Sequence, residues 1–366
     1  MIGIVGAGSF AAFAAKAFGK LQGAEVSAVS DVNEKVGKKF AQHLNARFYP
    51  DYRKLLSDNR VDLVYIATPP FLHFKLSRHS LLAGKHVICE KPAALTVKEA
   101  QELKRLAEKS KLLYVVNLMQ RYNPMYAVVK AIIHKKLLGN FLHGFFENYA
   151  SDENLGLDHW FWKDRKSGGI FIEHGIHFFD MFSGWLEKGK IISALEIRRP
   201  NVKKKIYDRV QATVLYKGGA VNFYHGFDQP KILDRQELRL QFEKGEITLY
   251  GWIPVKMQLH GLMKETDRQK VHAMLGDFSA FEKIDDNRVN YMVKGRFADI
   301  VFDNEITICC ESRAPKESRY EQMITDMLHD QWQWILNRDH RRMVDDDNAI
   351  ESLMMAEEAK KIALKI

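Results

Sequence analysis

Met1-Ile2-Gly3-Ile4-Val5-Gly6-Ala7-Gly8-Ser9-Phe10-Ala11 opens the chain, and its reading decides the fold. Ile2 to Val5 is a short apolar strand that runs into the turn Gly6-x-Gly8-x-x-Ala11. Gly6 allows a tight turn, Gly8 lets backbone approach a pyrophosphate, and Ala11 lets a helix pack on the strand. Ser9 and Phe10 begin that helix, whose N-terminal N–H groups and positive dipole end suit phosphate. A second strand, Glu25 to Ser30, ends at Asp31, roughly 20 residues beyond the turn. An acidic side chain there is placed to accept both ribose hydroxyls of an adenosine and to repel a 2′-phosphate, so the expected cofactor is NAD rather than NADP. Glycine turns between strand and helix also occur in α/β units that bind no dinucleotide, and context must decide.

The context is repeated strand–helix alternation. Val61 to Ala67 is an almost unbroken apolar run, as in a strand buried on both faces of a parallel sheet, and Thr68-Pro69-Pro70 ends it. A helix from Phe71 to Ala83 follows, stopped by Gly84. A strand from His86 to Cys89 then ends in Glu90-Lys91-Pro92. Thr96 with Glu99 three residues on predicts a capping box for a helix to about Lys109, and Leu112 to Leu118 forms a further strand. Such units build a doubly wound sheet, whose ligands sit outside the carboxyl ends of its strands. Gly6–Gly8, Asp31, Thr68–Pro70 and Glu90–Pro92 all fall at such ends.

Beyond Arg121 the character changes. A helix (124–138) and a strand (140–149) lead to the aromatic stretch His159-Trp160-Phe161-Trp162. After Glu187 the chain is β-rich, with turns at Lys217-Gly218-Gly219 and Glu243-Lys244-Gly245. Val210, Ala212 and Val214 alternate with polar residues, as do Leu238, Leu240 and Phe242, which predicts half-exposed antiparallel sheet. The expected division is residues 1–121 as the dinucleotide domain and 122–366 as an α+β substrate and oligomerisation domain, with the C-terminal helix free to pack back on the first.

The 366 residues suffice for two domains. A hydrophobic share of 46% and a charged share of 28% suit a globular enzyme, and no apolar run is long enough for a membrane span. The net charge of +9 comes from 55 basic and 46 acidic residues that are spread along the chain, which argues against nucleic acid as a partner. Cys89, Cys309 and Cys310 form no disulfide or metal spacing and sit in apolar segments. With no signal peptide in view, a reducing cytoplasm is expected.

A second constellation lies at Ser167-Gly168-Gly169 and the following Glu173, His177 and Asp180. With Ser167 as N-cap, the i, i+4, i+7 spacing places these three on one helix face. An acid–histidine–acid row suits proton transfer, the carboxylate orienting the imidazole. It also suits a structural polar network. The residue types could ligate a metal, but the spacing matches none of the usual zinc motifs, and no metal is expected.

Together the motifs resemble the Gfo/Idh/MocA oxidoreductase family: Gly6-Ala7-Gly8, Asp31, Ala67-Thr68-Pro69-Pro70 with His73, Glu90-Lys91-Pro92, Arg121-Tyr122-x-Pro124, and Ser167-Gly168-Gly169 followed by Gly175-x-His177-x-x-Asp180. The resemblance implies a Rossmann domain followed by a domain with a large, open, mainly antiparallel sheet that commonly packs on another subunit, hence a homodimer or homotetramer. It implies catalytic roles for Lys91, His177 and Glu173, and allows Lys91–Pro92 to be cis. It implies cofactor contacts at Gly6, Gly8, Ser9, Phe10, Asp31, Thr68, Pro69, His73 and Glu90, and substrate contacts at Arg121 and Asp180. Tyr149, Trp162 and Lys163 are weaker candidates for the pocket wall. The expected activity is NAD-dependent hydride transfer at a secondary hydroxyl or ketone of a sugar, cyclitol or related polyol. Glycosidases that retain NAD and regulators that bind nucleotide share the fold and stand as alternatives. Many family dehydrogenases have aspartate where Glu173 stands. The extra methylene places the carboxylate differently or gives it another role.

Overall fold

The computed structural model describes residues 1–366 apart from Glu153, Asp277 and Phe297. The chain begins β1 (Ile2–Val5), α1 (Ser9–Phe18), β2 (Val26–Ser30), α2 (Glu34–His43), β3 (Arg47–Tyr49), α3 (Tyr52–Leu56), β4 (Leu63–Ile66), α4 (His73–Leu82), β5 (His86–Cys89), α5 (Val97–Ser110) and β6 (Tyr114–Val116). These strands form one parallel sheet in the order β3-β2-β1-β4-β5-β6. β1 and β4 are buried along their whole length, as strands covered on both faces must be. α1 buries Ala11, Ala14, Ala15 and Ala17, whose small side chains permit close packing. The capping box opening α5 is formed by Thr96 and Glu99. Order reverses between β1 and β4, which opens a crevice at their carboxyl ends.

The chain continues through α6 (Pro124–His134), β7 (Phe141–Tyr149), α7 (Asp164–Ser167), a π-helical turn (Phe171–Gly175) and α8 (Ile176–Leu186). There follow β8 (Lys190–Arg198), β9 (Tyr207–Tyr216), β10 (Gly219–Gly226), β11 (Arg235–Phe242), β12 (Gly245–Tyr250) and β13 (Lys256–Met263). The last elements are α9 (Glu265–Met274), β14 (Phe278–Val293), β15 (Ile300–Ser312), α10 (Lys316–Leu336), α11 (Asp346–Ile362) and β16 (Leu364–Lys365). A ten-stranded sheet runs β14-β15-β13-β12-β11-β7-β10-β9-β8-β16. β7–β10 and β8–β16 pair in parallel; the other neighbours are antiparallel. Val210, Ala212, Val214, Leu238, Leu240 and Phe242 all face its buried side. There Phe182 packs edge-on against Phe223 with ring centroids 4.9 Å apart, and Trp185 Nε1 donates to the Tyr126 carbonyl at 3.1 Å. Among the described residues no helix is long and apolar enough to cross a membrane.

The chain divides into two compact units that are not contiguous in sequence. The first comprises Met1–Tyr122, Leu157–Asp180 and Tyr320–Lys360; the second comprises Asn123–Gly156, Met181–Arg319 and Lys361–Ile366. Segments 157–180 and 320–360 fold with the first unit. The reason is specific pairing. Lys91 holds Glu173, Arg121 holds Asp180, and the Tyr122 hydroxyl donates to Asp330 at 2.6 Å. Lys104 meets Asp347 at 2.5 Å, and Lys360 donates to the Gly168 carbonyl at 2.6 Å.

Candidate active site

The crevice at the carboxyl ends of the parallel sheet has a volume of about 600 Å³ and is walled in part by Gly6, Gly8, Asp31, Thr68 and Pro69. Gly6 sits at φ 102°, where a Cβ would lie 2.2 Å from the Ala67 carbonyl oxygen, so only glycine fits. Gly8 immediately precedes α1, and a Cβ built there meets nothing within 4 Å. That open approach beside a helix N-terminus suits a phosphate. Asp31 is fixed by two backbone donors, Ala7 N and Asn33 N, each at 2.7 Å. Thr68 Oγ1 is buried and has no hydrogen-bond partner among the described residues. Such an atom in a cleft wall is one a ligand can satisfy. These features fit a dinucleotide.

Other expected cofactor contacts have different surroundings. His73 is buried, with Nδ1 2.7 Å from the Pro92 carbonyl and Nε2 2.7 Å from the Thr68 carbonyl. It braces the loops after β4 and β5 instead of facing the crevice. Burial pushes its pKa down, while the two carbonyls pull the other way. Glu90 accepts from the Tyr65 hydroxyl and from Asn117 Nδ2, and burial raises its pKa. Phe10 turns its ring toward Phe13 and Tyr320, while Ser9 is exposed at the start of α1. Pro50, Tyr52, Arg53 and Lys75 also wall the crevice, and the sequence reading missed them. They could have been found: Arg47–Tyr49 is a strand, and Pro50 lies at its carboxyl end.

The second cluster also belongs to the first unit. Ser167 is the last residue of the four-residue α7 and not the N-cap of a long helix. Gly168 and Gly169, at φ 84° and 85°, turn the chain into the π-helical turn that carries Glu173. Such turns recur at functional sites. The expected acid–histidine–acid row is rewired. Lys91 Nζ donates to Glu173 Oε1 at 2.5 Å and to the Glu173 carbonyl at 2.6 Å. Arg121 forms a two-pronged pair with Asp180, Nε to Oδ2 at 2.9 Å and Nη2 to Oδ1 at 2.8 Å. Both Asp180 oxygens are thus engaged by the Arg121 guanidinium. Burial raises the Asp180 pKa, with Arg121 opposing. His177 is 3% exposed. Burial, with the Lys91 charge nearby, holds its pKa well below the ordinary imidazole value, so the ring is neutral at pH 7. The Lys91–Pro92 peptide bond is cis.

The architecture is that of a dinucleotide-binding Rossmann unit joined to a unit built on a large mixed sheet. Residues 1–118 match the oxidoreductase family with an NAD-binding Rossmann fold, and residues 126–248 match the GFO/IDH/MocA C-terminal domain; the chain belongs to this Gfo/Idh/MocA family. An uncharacterised oxidoreductase of Schizosaccharomyces pombe is 30% identical over 61% of this chain and 62% of its own length. The glucose-6-phosphate 3-dehydrogenase of Bacillus subtilis is 28% identical over 56% of this chain and 59% of its own. The aligned stretches thus span only some three-fifths of these curated relatives. A 3-ketoreductase from Actinomadura kijaniata, crystallised with NADP and TDP-benzene, has the same fold, with a TM-score of 0.75 at 15% identity over 100% of this chain and 98% of its own.

Proposed function

We propose that this protein is a nicotinamide-dependent dehydrogenase or reductase acting at a secondary hydroxyl or ketone of a sugar, cyclitol or related polyol. One observation carries the reading: the Lys91 ammonium, paired with Glu173, lies near enough to the buried His177 ring to act on it electrostatically, and that lysine follows β5 at the same edge of the sheet as the dinucleotide crevice. A relative named as a sugar-phosphate dehydrogenase and a neighbour named as a 3-ketoreductase support the substrate class.

In the oxidising direction His177 takes the hydroxyl proton while Lys91 donates a hydrogen bond to the same oxygen and stabilises the developing alkoxide. The nicotinamide, when bound, supplies hydride acceptance. Glu173 positions the Lys91 ammonium, and the Arg121–Asp180 pair holds the helix that presents His177. Asp31 accepts the ribose hydroxyls and repels a 2′-phosphate, which favours NAD. The reading also takes the half-exposed face of the ten-stranded sheet as the contact between copies of the chain in a dimer or tetramer, in the cytoplasm; sedimentation checks the assembly.

The test is a panel of sugars, cyclitols and polyols with NAD and NADP, followed by absorbance of the reduced nicotinamide. Turnover of at least one neutral polyol with NAD supports the reading. Dinucleotide binding without turnover of any member overturns it. Cleavage of a glycoside with no net change in absorbance replaces it with non-redox chemistry.

A further inference from the structure

We infer that Glu173 makes this site selective for an uncharged carbinol, by neutralising Lys91 and excluding substrates that carry a carboxylate on the carbon beside the reacting hydroxyl. This rests on the preceding reading of the site and adds to it a rule about charge.

An ammonium next to a reacting hydroxyl would ordinarily also attract an adjacent carboxylate, and 2-hydroxy acids would then be natural substrates. Here Lys91 has already spent two of its three N–H donors on Glu173, one on the backbone carbonyl and one on the side-chain carboxylate. The third remains for a neutral oxygen. The pair is largely withdrawn from water, with side-chain exposures of 18% and 12%, so its charges are only partly screened. The other cation of the cluster, Arg121, sits in a two-pronged pair with Asp180, which is 1% exposed. His177 is neutral. The reacting end therefore presents one hydrogen-bond donor with no net positive charge. A 2-hydroxycarboxylate bound through its hydroxyl would bring its own anion against Glu173. The glutamate length matters: with the Glu173 carbonyl already on Lys91 Nζ, the side chain must curl back to reach the same nitrogen.

Glu173→Gln tests this, because an amide oxygen can still accept from Lys91 while the charge is gone. Two readouts are needed. The first is binding of tartronate, a small 2-hydroxy diacid, to the protein saturated with NAD, by calorimetry. The wild type should bind it at least tenfold more weakly than Glu173→Gln, and adding Lys91→Met to Glu173→Gln should abolish the gain. The second is the ratio of kcat/KM for a neutral cyclitol to that for L-tartrate. It should exceed one hundred in the wild type and fall at least tenfold in Glu173→Gln. Equal tartronate affinity in wild type and Glu173→Gln overturns the inference. Tartronate binding still reads the charge rule if no polyol is turned over, so the two proposals fail separately. Should Glu173→Gln not fold, judged by circular dichroism and NADH binding, Glu173→Ala takes its place. It also removes the charge and should raise tartronate affinity in the same direction, and an unchanged affinity overturns the inference.

Discussion

At the residue scale the cluster pairs its charges internally, Lys91 with Glu173 and Arg121 with Asp180. Lys91→Met should lower kcat by about 10³-fold, the usual effect of removing a donor aimed at a developing oxyanion. NADH affinity should stay within about threefold, since Lys91 lies outside the crevice wall. Stopped-flow turnover and fluorescence titration separate the two effects. Asp31→Ser removes the carboxylate at the end of β2 and should raise the ratio of NADP to NAD in kcat/KM by about tenfold or more. It also removes the acceptor of Ala7 N and Asn33 N, so some loss of thermal stability accompanies it.

At the element scale the glycine turn shows how two similar residues carry different loads. Gly6→Ala forces a Cβ against the Ala67 carbonyl at a backbone angle that L-residues rarely adopt. It should cost about 2–4 kcal/mol of stability, read from urea unfolding. Gly8→Ala meets no protein atom, so the fold should survive with stability changed by less than about 1 kcal/mol. The added methyl stands where a phosphate approaches, and NADH affinity should fall about tenfold or more. The turn around Glu173 makes the opposite point. A helical wheel places Glu173, His177 and Asp180 in one row, but Gly168 and Gly169 at positive φ and the π-helical turn re-aim the first of them. Its partner then comes from the turn after β5, 82 residues earlier in the chain.

At the scale of the whole molecule, buried histidines set the response to acid. His73 and His177 have pKa values pushed down by burial, and His225 is brought to about 3. Unfolded, each would titrate near 6.5, so below that pH the unfolded chain binds more protons than the folded one. Stability from these groups is complete above pH 6.5 and declines as pH falls toward their folded values. For His225, one pH unit below 6.5 costs about 1.4 kcal/mol. Glu90 and Asp180, whose pKa values are raised, act in the opposite sense, and their contribution grows as pH falls through their folded values. On the histidines' account the urea midpoint should be lower at pH 5.5 than at pH 7.5, and His225→Asn should reduce that difference by about one proton's worth.

The sequence by itself determined the parallel sheet, the glycine turn, Asp31 at a strand end and the alternating strands of the larger sheet. Each is a local pattern: apolar periodicity and turn chemistry act over a few residues and repeat the same answer in successive segments. Only the tertiary structure decided that residues 157–180 and 320–360 fold with the first unit, that Glu173 serves Lys91, and that Asp180 serves Arg121. Those choices depend on which buried charge finds which partner across many tens of residues. The cost of leaving a buried ion unpaired selects them, and that cost exists only once the chain has closed around the site.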